Sequence, residues 1–204
     1  MRPVTIWDID DTLVDTRHRL HHIQCTQPDW HAFDAAMPYD TILLPGLIIY
    51  NALKQAGLEP VLFTSRAEHT RKQTQVTLNT LKVLGYRQLF MRGNDDKRSS
   101  VQVKKDMLAI LRSQGCTPVM AFEDHPEVVS MFRHQGVPCW AADDRCWQQG
   151  WKKGLTEGTM QFERKPGDYA REGTHILNKQ ILEAVKPYSG FDPVNDYPEH
   201  GDQP

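Results

Sequence analysis

Little in this chain provides covalent or membrane anchorage. Its four cysteines, Cys25, Cys116, Cys139 and Cys146, form no CxxC pair and lack the paired spacing of a zinc site, so reduced cytosolic thiols are the reading. Cys116 and Cys139 sit in or beside apolar runs and are expected in the core. No apolar run is long enough to span a membrane. The first is only a few residues long and is broken by Asp8, so it does not read as a secretory leader. Charge of one sign is also scarce: 24 Lys and Arg against 26 Asp and Glu leave a net −2. That excludes a broad electrostatic grip on nucleic acid, though not a grip on one strand end. There is no GxxxxGK followed by Ser or Thr, so kinase activity is not expected. There is no internal repeat. What remains, 204 residues with 39% hydrophobic and 25% charged content, suits one domain with a good core and a small appendage.

The most informative stretch lies near the start. Val4, Thr5, Ile6 and Trp7 form an apolar run that stops at Asp8, Ile9, Asp10, Asp11, Thr12 and Leu13, as a buried strand does at the end of a sheet. Asp8 and Asp10 would share one face of that strand. Two carboxylates so close are costly to bury without a cation between them. Magnesium suits that place, because it takes one or two carboxylates and leaves room for water and phosphate oxygens. A strand followed by an acidic turn is the plainer reading of the fragment.

Later segments repeat the pattern. Residues 60–63 are apolar and end in Thr64, Ser65 and Arg66; residues 118–122 end in Glu123 and Asp124; a helical segment at 99–114 carries Lys104 and Lys105. Further strands are expected at 88–91 and 137–141, and helices at 45–55, 68–84 (with Val76, Leu81 and Leu84 on its apolar side) and 127–135. Strand and helix alternate five times, which predicts an α/β fold with a parallel sheet whose C-terminal strand ends gather the polar groups at one edge. Residues 16–44 read as an insert, with a short polar helix at 18–24 and a helix start near Trp30 capped by Asp29. Trp30 and Phe33 would either form the insert's own small core, the favoured reading, or face a base or sugar. His18, His21, His22 and Cys25 could share a helical face, but no further zinc-ligand pattern accompanies them.

Beyond Trp147 the pattern breaks down. Residues 148–173 are polar, 174–185 form one more helix candidate, and 187–204 are rich in Pro, Gly, Asp and Asn and expected to be mobile. The basic set Lys152, Lys153, Arg164, Lys165 and Arg171 is diluted by Glu157, Glu163, Asp168 and Glu172, which favours a solvated face. The domain reading is therefore a core at 1–147, with a cap insert at 16–44, and a C-terminal polar extension at 148–204.

Taken together, residues 8–13, 63–66, 96–104, 123–129 and 131–140 resemble the haloacid dehalogenase (HAD) superfamily. More narrowly, they resemble the phosphatase domain of bacteriophage polynucleotide kinases and the stand-alone phage and bacterial phosphatases related to it. The similarity spans about residues 3–142. It implies a HAD-like Rossmannoid three-layer α/β/α fold with a central parallel sheet and a small helical cap. It implies a magnesium-dependent phosphatase in which Asp8 attacks phosphorus to form an aspartyl-phosphate and Asp10 acts as acid and then base. Asp10 would be helped to hold a proton by the neighbouring charge of Asp8. Mg2+ would be held by Asp8, the backbone carbonyl of Asp10 and Asp124, with Glu123 as a direct or water-mediated helper. Thr64 and Lys104 would act on the phosphoryl group, with Lys105 the competitor for the lysine role. Arg66, Thr12 and Ser65 are candidates for binding substrate, Arg66 being otherwise an ordinary surface salt bridge. Ser100 stands where the polynucleotide phosphatases often carry an acid, a departure from the pattern.

The implied substrate is a phosphorylated nucleic-acid 3′ end or a nucleotide, and the implied place is the cytoplasm of a bacterium or phage-infected host, with no membrane partner. Two rivals stay open: a (deoxy)nucleoside 5′-monophosphatase of the same superfamily, and a catalytically silent HAD-fold binding protein.

Overall fold

A computed structural model describes residues 2–142. The readings for residues 148–204, with their helix candidate and basic set, and for Cys146, lie outside the described residues. The central strand β1 (Arg2–Asp8) is the apolar run that opens the chain. It is flanked in parallel by β4 (Glu59–Ala67) and β6 (Cys116–Glu123), with β5 (Gln88–Arg92) beyond β4 and β7 (Cys139–Ala141) beyond β6. The strand order β5-β4-β1-β6-β7 is the expected parallel sheet.

Alternation along the strands divides the core in two. Val4, Ile6, Val61, Phe63 and Ala121 face the helices α4 (Ser100–Ser113) and α5 (Pro126–His134), meeting Leu108, Leu111 and Phe132. Trp7, Leu62 and Phe122 face the other way, toward Leu47 and Tyr50 of α2 (Leu44–Gln55) and Leu78 of α3 (Arg71–Thr80). The period of two in the strands thus makes the three layers. Trp7 stacks on Phe122 at 3.8 Å and donates its indole N–H to Thr5 Oγ1 at 2.9 Å, so its one polar atom is satisfied inside the core. Cys116 and Cys139 are buried, and all three cysteines among the described residues are free thiols. No helix among the described residues is long and apolar enough to cross a membrane.

Helix α4 starts where its sequence says it should. Ser99 and Gln102 form a reciprocal capping box. The helix expected over 68–84 is shorter: a 3-10 turn, Glu68–Thr70, leads into α3, which stops at Thr80. Lys82 then takes a positive φ of 61°, which resets the phase. Val83 is buried as a result, while Val76 and Leu84 face solvent.

The insert is pinched at its base by a ribbon the sequence did not suggest, β2 (Val14–Asp15) paired antiparallel with β3 (Thr41–Ile42). Two-residue strands carry no periodicity to read. Within the insert lie a 3-10 segment, Arg17–His22, and helix α1 (Trp30–Ala35). Asp29 caps α1 by accepting from the Ala32 N–H at 2.9 Å, as expected. In the first turn of α2 a glycine lets the helix approach the loop after β1: a Cβ on Gly46 would stand 2.5 Å from the Thr12 carbonyl oxygen.

Trp30 corrects an expectation. It is 61% exposed, and α1 buries no residue, so the aromatics of the insert do not form a core of their own. Six residues provide fewer than two helical turns, too little surface to enclose an indole.

Candidate active site

Register brings the strand ends together. Asp8 lies opposite Phe63, and Trp7 opposite Phe122, so Thr64 and Glu123 each follow directly on a neighbour of the β1 tip. Two groups of charges form there, and their balance differs.

The first group surrounds Lys104. Its ammonium, on the inward face of α4, donates to Asp8 Oδ1 at 2.5 Å and to Glu123 Oε2 at 2.6 Å. Lys104 is buried and Lys105 exposed, so geometry separates the two lysines that the sequence left unresolved. Asp8, Glu123 and Asp124 are all buried, and each places a carboxylate oxygen within 4.8 Å of the others. Fully ionised, this set carries three negative charges against one positive. Burial pushes Asp8 up to about 7; Lys104 pulls against that, and Asp124 and Asp10 add to it. Burial and Asp8 likewise raise Glu123, although Lys104 opposes. Lys104 itself is raised, since its carboxylates outweigh the burial that would lower it. The cluster therefore wants positive charge. A divalent cation would leave it neutral, and three buried oxygen donors are the chemistry of a hard ion. Glu123 has both oxygens engaged, Oε1 accepting from the His125 N–H at 3.0 Å, which suits it to a helping role beside Asp8 and Asp124.

The second group is already balanced. Asp10 accepts from Arg66 Nη2 at 2.7 Å and Nε at 3.0 Å, and from Arg19 Nη2 at 2.8 Å. Asp40 accepts from the same two arginines, from Arg19 Nε at 2.7 Å and Arg66 Nη2 at 2.8 Å. Two carboxylates and two guanidiniums thus form a closed ring, with Arg19, Arg66 and Asp40 buried. Burial alone would raise Asp10, but Arg66 and then Arg19 outweigh it and hold the carboxyl below its usual range. This corrects the expectation that Asp8 would help Asp10 to keep a proton. Asp40, more dominated by burial, is raised despite the same arginines.

The surface-salt-bridge reading of Arg66 is also corrected, because the side chain is buried and bonded to Asp10 and Asp40. Sequence reasoning missed Arg19 and Asp40 altogether. An arginine in a stretch of histidines has no local signal of burial; only the acid facing it from 21 residues away explains it.

The remaining candidates are spread around these groups. Thr64 is buried, its hydroxyl accepting from the Arg66 N–H at 3.1 Å and donating to Asp10 Oδ2 at 3.4 Å. Thr12 is buried beside the tip, and its hydroxyl has no hydrogen-bond partner among the described residues. Ser65 is turned to the rim, where its hydroxyl donates to Ser100 Oγ at 2.9 Å, while Arg92 clips both residues by donating to the Ser65 carbonyl and to Ser100 Oγ. Of His18, His21, His22 and Cys25, none joins a metal-capable cluster; among the described residues Asp8, Glu123 and Asp124 are the group that does.

Occupation by a divalent cation has a measurable signature. Below about pH 4 Asp8 is protonated whether the chain is folded or not. Between there and about pH 7 the unfolded chain ionises first, so this group's contribution to stability falls as pH rises. A cation that binds the ionised form gains over the same interval. Magnesium is expected to raise the thermal midpoint more at pH 8 than at pH 5, by the equivalent of about 2–3 kcal/mol near a hundredfold excess over Kd. Calorimetry with and without magnesium checks this; an equal shift at both pH values would contradict it.

The family model for the polynucleotide kinase PNKP phosphatase domain matches residues 2–145. Among solved structures the chain is similar to one in the structure of the Pnkp1/Rnl/Hen1 complex, with a TM-score of 0.59 and 22% identity over 70% of this chain and 46% of that one. A haloacid dehalogenase-like family hydrolase from Streptococcus pneumoniae gives a TM-score of 0.52 at 10% identity, covering 74% of this chain and 91% of that one. The class C acid phosphatase from Bacillus anthracis with tungstate bound gives 0.51 at 15%, covering 94% and 81%. At these identities the likeness is one of fold, and this chain spans less than half the length of the Pnkp1/Rnl/Hen1 chain it matches. No curated protein matches it.

Proposed function

Because this chain belongs to the polynucleotide kinase phosphatase domain family of the HAD fold, we propose that it is a magnesium-dependent phosphatase acting on phosphorylated 3′ ends of nucleic acid. The observation that carries the reading is the pairing of two charge groups at one sheet edge. Around Asp8 negative charge is in excess and awaits a cation; around Asp10 it is balanced. A silent binding domain has no physical need to bury three clustered carboxylates with one lysine paired to two of them.

In this reading an Asp8 carboxylate oxygen attacks phosphorus, and the bond from phosphorus to the ester oxygen breaks. Asp10 delivers a proton to that oxygen as it leaves. Water then attacks the aspartyl-phosphate at phosphorus and loses its proton to Asp10, which releases inorganic phosphate and restores both carboxyls. Asp10 is held ionised in the free protein by Arg66 and Arg19. Negative charge arriving at Asp8 raises its affinity for the proton it must carry. Lys104 steadies Asp8 and, with Thr64, offers donors toward the transferring phosphoryl group. Mg2+ would be held by Asp8 and Asp124, with Glu123 behind them and the Asp10 carbonyl as a further oxygen; bound there, it supplies positive charge to the phosphoryl oxygens.

The test compares phosphate release, with and without magnesium, from a 3′-phosphorylated oligonucleotide, its 5′-phosphorylated counterpart, and nucleoside 3′- and 5′-monophosphates. The 3′-phosphorylated oligonucleotide is expected to be hydrolysed fastest. Preference for the nucleoside 5′-monophosphate would favour the monophosphatase rival, equal slow release from all four would remove the end specificity, and no release from any would overturn the phosphatase reading.

A further inference from the structure

We propose that Trp30, on the cap insert, is a stacking platform for the base of the nucleotide whose phosphate reaches Asp8; this rests on the phosphatase reading above and names the part of the substrate that reading leaves undefined. Three successive contacts lead outward from the acid. Asp10 accepts from Arg19 at 2.8 Å, the Arg19 guanidinium lies 4.0 Å from the centre of the Phe33 ring, and Phe33 meets Trp30 with ring centres 5.8 Å apart.

Each link has a distinct character. Arg19 is fully buried, so its plane cannot turn away from Phe33 without breaking the bonds to Asp10 and Asp40. Phe33 is therefore pinned from below. Trp30 approaches it nearly edge-on, at 80°, and remains 61% exposed. A single exposed tryptophan needs no explanation. Here, however, the indole is half of an aromatic pair whose other ring, Phe33, is partly buried against the Arg19 guanidinium, and Arg19 in turn is bonded to the residue proposed to handle the proton. An uncharged π surface recognises a base rather than a phosphate, and stacking tolerates any base.

The experiment measures kcat and KM for wild type, Trp30→Ala and Trp30→Phe on two substrates: an oligonucleotide with a 3′-phosphorylated terminal nucleotide, and the same oligonucleotide ending in an abasic 3′-phosphate. On the intact end Trp30→Ala is expected to lose about 10- to 100-fold in kcat/KM, mainly through KM. Trp30→Phe should recover most of it. On the abasic end all three proteins should turn over alike. Equal losses on both substrates would show a merely structural role and overturn the inference, as would no loss on either. Silence of the wild type on both would instead overturn the phosphatase reading and this inference with it.

Discussion

Asp8→Asn is expected to reduce magnesium-dependent phosphate release by on the order of 10⁴-fold or more, since it removes the attacking oxygen itself. The same change should leave the metal-free fold as stable as the wild type or more so. Asp8 and Glu123 share one ammonium and Asp124 crowds against both, and replacing the first by a neutral amide relieves repulsion that burial makes costly. Lys104 keeps Glu123 as its partner at 2.6 Å. The magnesium-induced rise in thermal midpoint should vanish together with turnover. Retained turnover would remove Asp8 from the chemistry, while a variant that failed to fold would show the cluster to be a structural pillar rather than an electrostatic strain.

Arg66→Ala should have the opposite balance. The ring of Asp10, Arg66, Asp40 and Arg19 is neutral, and deleting one guanidinium leaves two carboxylates, buried Asp40 and partly exposed Asp10, facing one cation. Breaking a fully buried ion network costs about 3–5 kcal/mol; with Asp10 partly exposed the loss should fall at or below the lower end, and phosphate release should fall with it because Asp10 loses its firmest partner. The diagnostic is the second change. Asp40→Asn should destabilise the wild type, yet in the Arg66→Ala background it restores neutrality and should cost less, or stabilise, with a coupling of about 1–3 kcal/mol in denaturant unfolding. Strict additivity would show that the two groups do not act as one network.

How much of this was legible in advance differs from residue to residue. The ends of β1 and β6 were, because an apolar run stopping at Asp8 or at Glu123–Asp124 is a local pattern, whereas β4 runs past the expected stop at Phe63, through Thr64, Ser65 and Arg66 to Ala67. The Asp29 cap and the start of α4 were as well, since capping is chemistry between neighbours. The helix over 68–84 was misjudged where Lys82 adopts a backbone conformation its residue type does not announce. The β2–β3 ribbon was missed because two residues hold no period.

The amino-acid order alone determined the layered parallel sheet and the edge at which its acids collect, because periodicity and strand termination are written in adjacent residues. Only the tertiary structure decided which charges meet. Arg19 and Asp40 are 21 residues apart, Asp10 and Arg66 are 56, and Asp8 and Lys104 are 96. No spacing rule links such pairs, since their encounter depends on where the whole chain returns. Their surroundings set the proton affinity of each carboxyl, so the contrast between Asp8, raised by burial, and Asp10, held low by two arginines, exists only in the folded protein.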